Sequence, residues 1–183
     1  MVIIEVKAKN YKPNLKFLKD YIITFDENTL TLYDFEGKEL DNLVIDNIFD
    51  ICVVNNKFIL IMKRDCIIPV IINKEKNILK IIQDNIYYFD IWITNCIYSK
   101  KNNLLIVAGK SWIKIIKIDP MNLLIEEVIQ TISSENCSLL LDIKKNFIMG
   151  NNDSIFLYQK INGIQTYEFK SKLSINRRNN MFH

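Results

Sequence analysis

Strand-length apolar runs alternate with short polar turns along almost the entire chain, and helical periodicity is nearly absent. FILIM (58–62), CIIPVII (66–72) and LLIVAG (104–109) are almost continuously apolar, as strands covered on both faces should be. Between such runs stand DEN (26–28), EGK (36–38), NNK (55–57), KEK (74–76), SKKNN (99–103) and KKN (144–146). Asn, Asp, Gly and Lys tolerate turn geometry and solvent, which is why they punctuate strands. Only IEEVIQTI (125–132) could pass for a turn or two of helix, and its flanks favour a strand. The pattern predicts an all-β chain.

The runs also recur in register. One kind begins at Tyr21, Phe58, Leu104 and Phe147, and the next at Thr29, Cys66, Trp112 and Ser154. A third run follows each such pair and a fourth precedes it. Equivalent starts lie about 37, 46 and 43 residues apart. Four strands per unit at that period is the size of a propeller blade. The expected blades span about 14–45, 48–83, 86–130 and 137–170, within one β-domain covering 1–170. Residues 2–6 form a spare strand, and 171–183 a basic tail. A single four-stranded unit cannot bury both faces, so neighbouring units must supply one another's core. Pro69, inside CIIPVII, removes a ladder donor and calls for a bulge or an edge there.

Three segments carry a resemblance to a known family. Leu32-Tyr33-Asp34-Phe35-Glu36-Gly37 looks like the strand ending of WD40-type β-propellers, with Tyr33 where the family has Trp. IVAGKSWIKIIKID (106–119) is similar to the family's central strand pair, and so is FIMGNNDSIFLYQKING (147–163), with Tyr158-Gln159 in the Trp-Asp place. The resemblance runs from about 14 to 170 and lies in layout more than in letters. No Gly-His pair occurs and the single histidine is His183, so the family's buried Asp–His–Ser/Thr–Trp network transfers to no blade. What the resemblance implies is a WD40-like β-propeller or partial propeller of about four four-stranded blades; a β-sandwich or β-trefoil is the alternative. Four is fewer blades than most WD40-type rings have. Three arrangements stay open: a small ring latched by 2–6, an open array covered by a partner, or a fragment of a longer propeller.

Composition qualifies this picture. Ile, Asn and Lys dominate while Gly (4) and Pro (3) are scarce, the mark of an A/T-rich genome in which asparagines fill turns that glycine would otherwise take. The net charge of +3 is too mild to favour nucleic acid or an acidic membrane. Cys52, Cys66, Cys96 and Cys137 lie far apart without a C-x-x-C pair and read as buried free thiols. MVIIEVKAKN does not read as a signal peptide, and no apolar run approaches the roughly 18 residues of a membrane helix. A cytoplasmic or nuclear location is the expectation.

Catalytic chemistry is hard to assemble from these residues. Without an internal histidine, Ser-His-Asp and Cys-His systems are out of reach. Zinc-ligand spacing and glycine-rich phosphate loops do not occur. Asp26, Glu27, Asp65, Asp84, Asp119 and Asp153 read as solvated turn residues, and Tyr87, Tyr88, Phe89 and Trp92 as core packing. The main charge feature is Lys170, Lys172, Arg177 and Arg178, candidates for contact with RNA phosphate or an acidic partner. The resulting expectation is a non-catalytic protein-interaction scaffold in a larger assembly, without cofactor, metal or catalytic residues. An RNA-contacting subunit of a ribonucleoprotein particle comes second, and a propeller hydrolase or glycosidase third.

Overall fold

A computed structural model describes residues 14–90, 92–134, 137–143, 146–151, 153–161 and 166–174. Among them are four antiparallel sheets and a single 3-10 turn at Gln83–Asn85, a β-propeller-like all-β architecture. In each sheet four strands pair in sequence order. The first contains β1 (Asn14–Phe17), β2 (Ile22–Phe25), β3 (Thr29–Tyr33) and β4 (Glu39–Val44). The second contains β5 (Asp50–Val53), β6 (Phe58–Met62), β7 (Cys66–Asn73) and β8 (Ile78–Ile81), with the short β9 (Tyr87–Tyr88) added against β7. The third contains β10 (Ile93–Ser99), β11 (Leu104–Gly109), β12 (Trp112–Ile118) and β13 (Ile125–Ser133). The fourth contains β14 (Leu139–Ile143), β15 (Asn146–Gly150), β16 (Ser154–Lys160) and β17 (Tyr167–Ser174). The residue pattern IEEVIQTI is therefore strand, in β13.

The strands group into two compact units. One takes in 1–90 and 120–124, the other 91–119 and 125–183. In the first unit, Ile23, Leu30 and Leu32 share a core with Ile59, Ile61 and Val70 of the second sheet, all fully buried. In the second unit, Leu104, Ile106, Ile113 and Ile115 share one with Leu140, Phe147 and Met149. Burying such aliphatic side chains contributes about 1.5–3 kcal/mol each before entropy is counted, which is why a lone sheet would not hold. All five side chains of β6 and all six positions of β11 are buried, matching their continuous apolar sequence. TLTLY, in β3, alternates buried with half-buried instead.

Turn chemistry explains where the strands stop. The Asp26 carboxylate accepts the backbone N–H groups of Asn28 and Thr29 at 2.8 and 2.7 Å. The side-chain oxygen of Asn151 does the same for Asp153 and Ser154, and that of Asn55 for Lys57 and Phe58. Asp34, the acidic residue of the Tyr-Asp pair, accepts from Glu36 and Lys38 and so closes the turn in which Gly37 takes φ 84°. Asn47, Asn77 and Asn103 adopt φ of 61°, 54° and 52°. Asparagine is the non-glycine residue most at ease there, so the scarcity of glycine is met as the composition suggests.

Two details differ from the sequence-based expectation. Tyr87 and Tyr88 join the second sheet and not the third, because β7 has one outer partner, β9, at Cys66–Ile67 and another, β8, from Val70 onward. Pro69 sits between the two, where its missing N–H breaks no ladder bond, and its carbonyl accepts from the Ile82 N–H at 2.9 Å. The aromatic group also divides. Tyr87 is buried, whereas Tyr88 and Trp92 are 75% and 51% exposed, Trp92 with the Lys110 ammonium 4.7 Å above its ring. Trp112 is buried against Gly109, where any Cβ would stand 2.8 Å from the indole. The spare strand 2–6 lies outside the described residues.

Candidate functional site

The most developed polar arrangement lies in the second unit, where the turn after β10 meets β14 and β16. The turn is the SKKNN segment. Its Ser99 carbonyl accepts the Asn102 N–H at 3.1 Å, and Asn103 takes the left-handed conformation that reverses the chain. That geometry carries the Asn102 amide to the Ser99 hydroxyl, to which it donates at 2.9 Å. The other end of the amide accepts from the Lys160 ammonium at 2.7 Å, so Lys160 at the end of β16 is tied to the turn. Ser99 is fully buried, and its hydroxyl lies on the side of the Asp142 carboxylate, where it favours the ionised form. The result is a chain of hydrogen bonds, Lys160–Asn102–Ser99, with Asp142 next to its buried end.

Asp142 belongs to a register row that crosses the fourth sheet through Phe147, Tyr158 and Phe169. Phe147 is fully buried, stacks on Tyr158 with centroids 4.7 Å apart, and meets the edge of Tyr167 at 5.0 Å. Gln130 fixes Tyr167 by exchanging both backbone hydrogen bonds through its side-chain amide, each 2.8 Å long. Asp142 itself is exposed, yet the protein packed beside its carboxyl removes enough water to raise its pKa. The Ser99 hydroxyl opposes that rise without cancelling it. Burial also pushes the Tyr167 phenol up to about 12, with the Asp142 charge adding to the effect. The Tyr167 hydroxyl has no hydrogen-bond partner among the described residues.

This arrangement can hold and move a proton. A solvent-reaching carboxyl with a raised pKa is a general base working closer to neutral pH than an ordinary aspartate. Ser99 is too deeply buried to attack a substrate. Lys160 keeps N–H donors beyond the one given to Asn102, which suits an anionic group. Among the described residues no group of three or more His, Cys, Asp or Glu side chains could hold a metal ion. No described helix is long and apolar enough to cross a membrane.

A second concavity lies in the first unit, beside β8. It has a volume of about 550 Å³ and is lined by Ile71, Ile78, Ile81 and Ile82, with Lys80 and Asp84 among its polar groups. Its isoleucine lining suits apolar groups.

The sequence-predicted contact residues fall elsewhere. Lys170 and Lys172 are exposed on β17, Lys170 at the point where the register to β16 shifts and Lys172 with its ammonium 5.3 Å from the Phe156 ring. Arg177 and Arg178 lie outside the described residues. Asp142, Ser99 and Lys160 escaped sequence reasoning, because SKKNN reads as an ordinary turn and LLLDI as an ordinary strand. The one available signal was a carboxylate on the core-facing side of an apolar strand. Cys66 and Cys137 are buried free thiols pushed up to about 11, the first by burial and the Asp65 charge, the second by burial. Neither is an activated nucleophile.

No protein-family model matches the chain, and no curated protein matches it. Solved structures do. A putative 6-phosphogluconolactonase from Bacteroides uniformis superposes with a TM-score of 0.72 at 12% identity, covering 89% of this chain and 55% of its own. A functionally unknown protein from Desulfotomaculum acetoxidans gives a TM-score of 0.75 at 12% identity, covering 93% and 58%. A second protein named as that lactonase, from Bacteroides fragilis, gives 0.70 at 11%, covering 89% and 55%. The chain thus spans a little over half the length of the structures it matches. Likeness at this identity establishes the fold.

It also corrects the expectation of a non-catalytic scaffold, and with it the reading of the chain as no enzyme. That expectation ran from a missing histidine and from WD40-like rings serving mostly as scaffolds. Two of the three structures named above carry the name putative 6-phosphogluconolactonase instead. A carboxylate in the Asp142 setting does not need histidine to act as a base.

Proposed function

We propose that the four sheets are blades of a lactonase-like propeller, in the layout that WD40-type rings also use, and that the chain takes part in hydrolysing a sugar lactone. The observation carrying this reading is the solvent-reaching Asp142 carboxyl, raised in pKa by the protein packed beside it and set next to the hydrogen-bonded Ser99–Asn102–Lys160 chain. Ionised Asp142 takes a proton from water as the oxygen attacks the lactone carbonyl. The tetrahedral intermediate collapses by breaking the ring C–O bond, and the ring oxygen takes up a proton to leave a hydroxy acid. Lys160 offers charge to an anionic substituent, such as the phosphate of a phosphorylated sugar acid lactone.

The test is proton release on adding freshly prepared 6-phosphogluconolactone or the unphosphorylated gluconolactone to the purified chain. Opening faster than the spontaneous rate, and reduced about 100-fold or more in Asp142→Asn, is the expected result for a general base. Turnover no faster than the buffer alone, or equal turnover in Asp142→Asn, would overturn it. Lys160→Ala should weaken the phosphorylated substrate more than the unphosphorylated one.

A further inference from the structure

The Tyr167 hydroxyl is a buried donor to which the lactonase reading gives no task. Tyr167 is 2% exposed, and its oxygen has no hydrogen-bond partner among the described residues. Buried hydroxyls nearly always find a partner, because an unmatched one forfeits its hydration. The ring itself is fixed. Gln130 of β13 exchanges two 2.8 Å hydrogen bonds with the Tyr167 backbone, and Phe147 meets the ring edge at a centroid distance of 5.0 Å. Register sets what lies nearby. Tyr167 pairs with Lys160, and two residues along each strand Phe169 pairs with Tyr158, whose row runs on through Phe147 to Asp142. Two-residue steps keep side chains on one face, so Tyr167, Lys160 and Asp142 share the face of the fourth sheet that packs on Leu104 and Ile106. The phenol is close enough to Asp142 for the carboxylate charge to act on it.

We propose that Tyr167 is a positioning residue for Asp142: once ionised, the carboxyl turns to accept the Tyr167 O–H and is aimed by it. The catalytic meaning of that contact rests on the lactonase reading. The two partners differ in freedom in the sense required. Asp142 stands exposed on β14 and can change rotamer, whereas Tyr167 is clamped and need only rotate its O–H. A hydrogen bond to an ionised acceptor is shorter and about twice as strong as one to a neutral group, so the contact forms with the carboxylate and weakens on protonation. A carboxylate has two oxygens, and one can accept from Tyr167 while the other takes a proton from water. The other ionisable groups of this cluster are Lys160 and Tyr158 of β16 and the Cys137 thiol ahead of β14. Lys160 is engaged with Asn102, and burial raises both Tyr158 and Cys137, the thiol to about 11. Asp142 is therefore the described group of this cluster whose charge changes on the acid side of neutrality.

Tyr167→Phe tests the proposal, because it removes the hydroxyl and keeps the ring. Carbon NMR of the aspartate carboxyls in the full chain, with Asp142→Asn to assign the signal, follows the Asp142 titration directly. Losing a donor to the ionised form should raise its midpoint by about 0.5 pH unit or more. The acidic limb of kcat/KM for lactone opening should move up with it. A phenol that only fills space would leave both in place. Melting temperature gives a separate reading: Tyr167→Phe should equal or exceed wild type below the Asp142 titration and fall behind it above. Wild-type protein needs no variant, since the Tyr167 ring carbon that bears the hydroxyl should shift with the Asp142 midpoint. An Asp142 midpoint within about 0.2 unit of wild type in folded Tyr167→Phe would overturn the proposal. So would a wild-type Tyr167 signal that ignores the Asp142 titration. These NMR readings need no substrate, so they decide the contact even where lactone hydrolysis fails.

Discussion

Phe147 offers the sharpest test of the core beneath the candidate site. Its side chain is fully exposed to neither solvent nor cavity but enclosed, at 0% accessibility, between Tyr158 and Tyr167. Replacing a buried phenylalanine by alanine typically costs about 3–5 kcal/mol, the lost transfer energy plus the cavity left behind. The stacked and edge-on ring contacts add about 0.5–1.5 kcal/mol, which places Phe147→Ala toward the upper end of that range. Domains are stable by only about 5–15 kcal/mol, so the second unit should lose a large part of its stability. With a urea slope of about 2 kcal/mol/M, the midpoint should fall by about 2 M. The assay is favourable because both tryptophans, Trp92 and Trp112, belong to the second unit. Tryptophan fluorescence should report the full shift while circular dichroism also follows the first unit. Phe147→Leu, which keeps most of the volume, should cost far less, under about 2 kcal/mol. A midpoint change below about 0.5 M for Phe147→Ala would refute the packing described here, and with it the support of Asp142 by the row it shares.

Other expectations follow from the same contacts. The Asp142 pKa is raised in the folded chain, so its proton is held more tightly there than in the unfolded chain. The stability this contributes is complete below the unfolded pKa and is lost as pH rises through the folded one. Melting temperature should therefore decline over that window in wild type and decline less in Asp142→Asn, which a pH series by circular dichroism will show. Asn47→Ala should cost about 1 kcal/mol, because alanine gains nothing at φ 61°, whereas Asn47→Gly should be neutral within about 0.5 kcal/mol in a urea titration. Gly109→Ala should displace Trp112 and red-shift its emission, at a cost of about 1–3 kcal/mol. Cys66 and Cys137 should resist a thiol reagent at pH 8 until the chain unfolds, with the half-buried Cys52 labelled ahead of them in a mass-spectrometric time course.

The sheets were legible in the sequence for a local reason. A strand needs only its own run of β-branched and aliphatic residues, and a turn only its Asp, Asn or Gly, so FILIM, LLIVAG and the capping residues Asp26, Asn55 and Asn151 announce themselves without reference to distant chain. The left-handed asparagines at 47, 77 and 103 belong to the same class. Tyr87–Tyr88 did not, because which sheet they join depends on a gap in the partners of β7 around Pro69. The candidate site was equally hidden. Ser99, Asn102, Asp142 and Lys160 span 62 positions of sequence, counted from 99 to 160, and acquire meaning only where β10, β14 and β16 converge.

By itself, then, the sequence determined an all-β chain of repeated four-stranded units and the residues that would turn it. Those are consequences of periodicity and backbone preference, which act over a few residues. Only the tertiary structure decided that Asp142 would be partly stripped of water beside the buried Ser99, and that one face of the fourth sheet would carry exposed leucines. Burial and electrostatic environment are properties of what lies across the core, and no short stretch of sequence contains them.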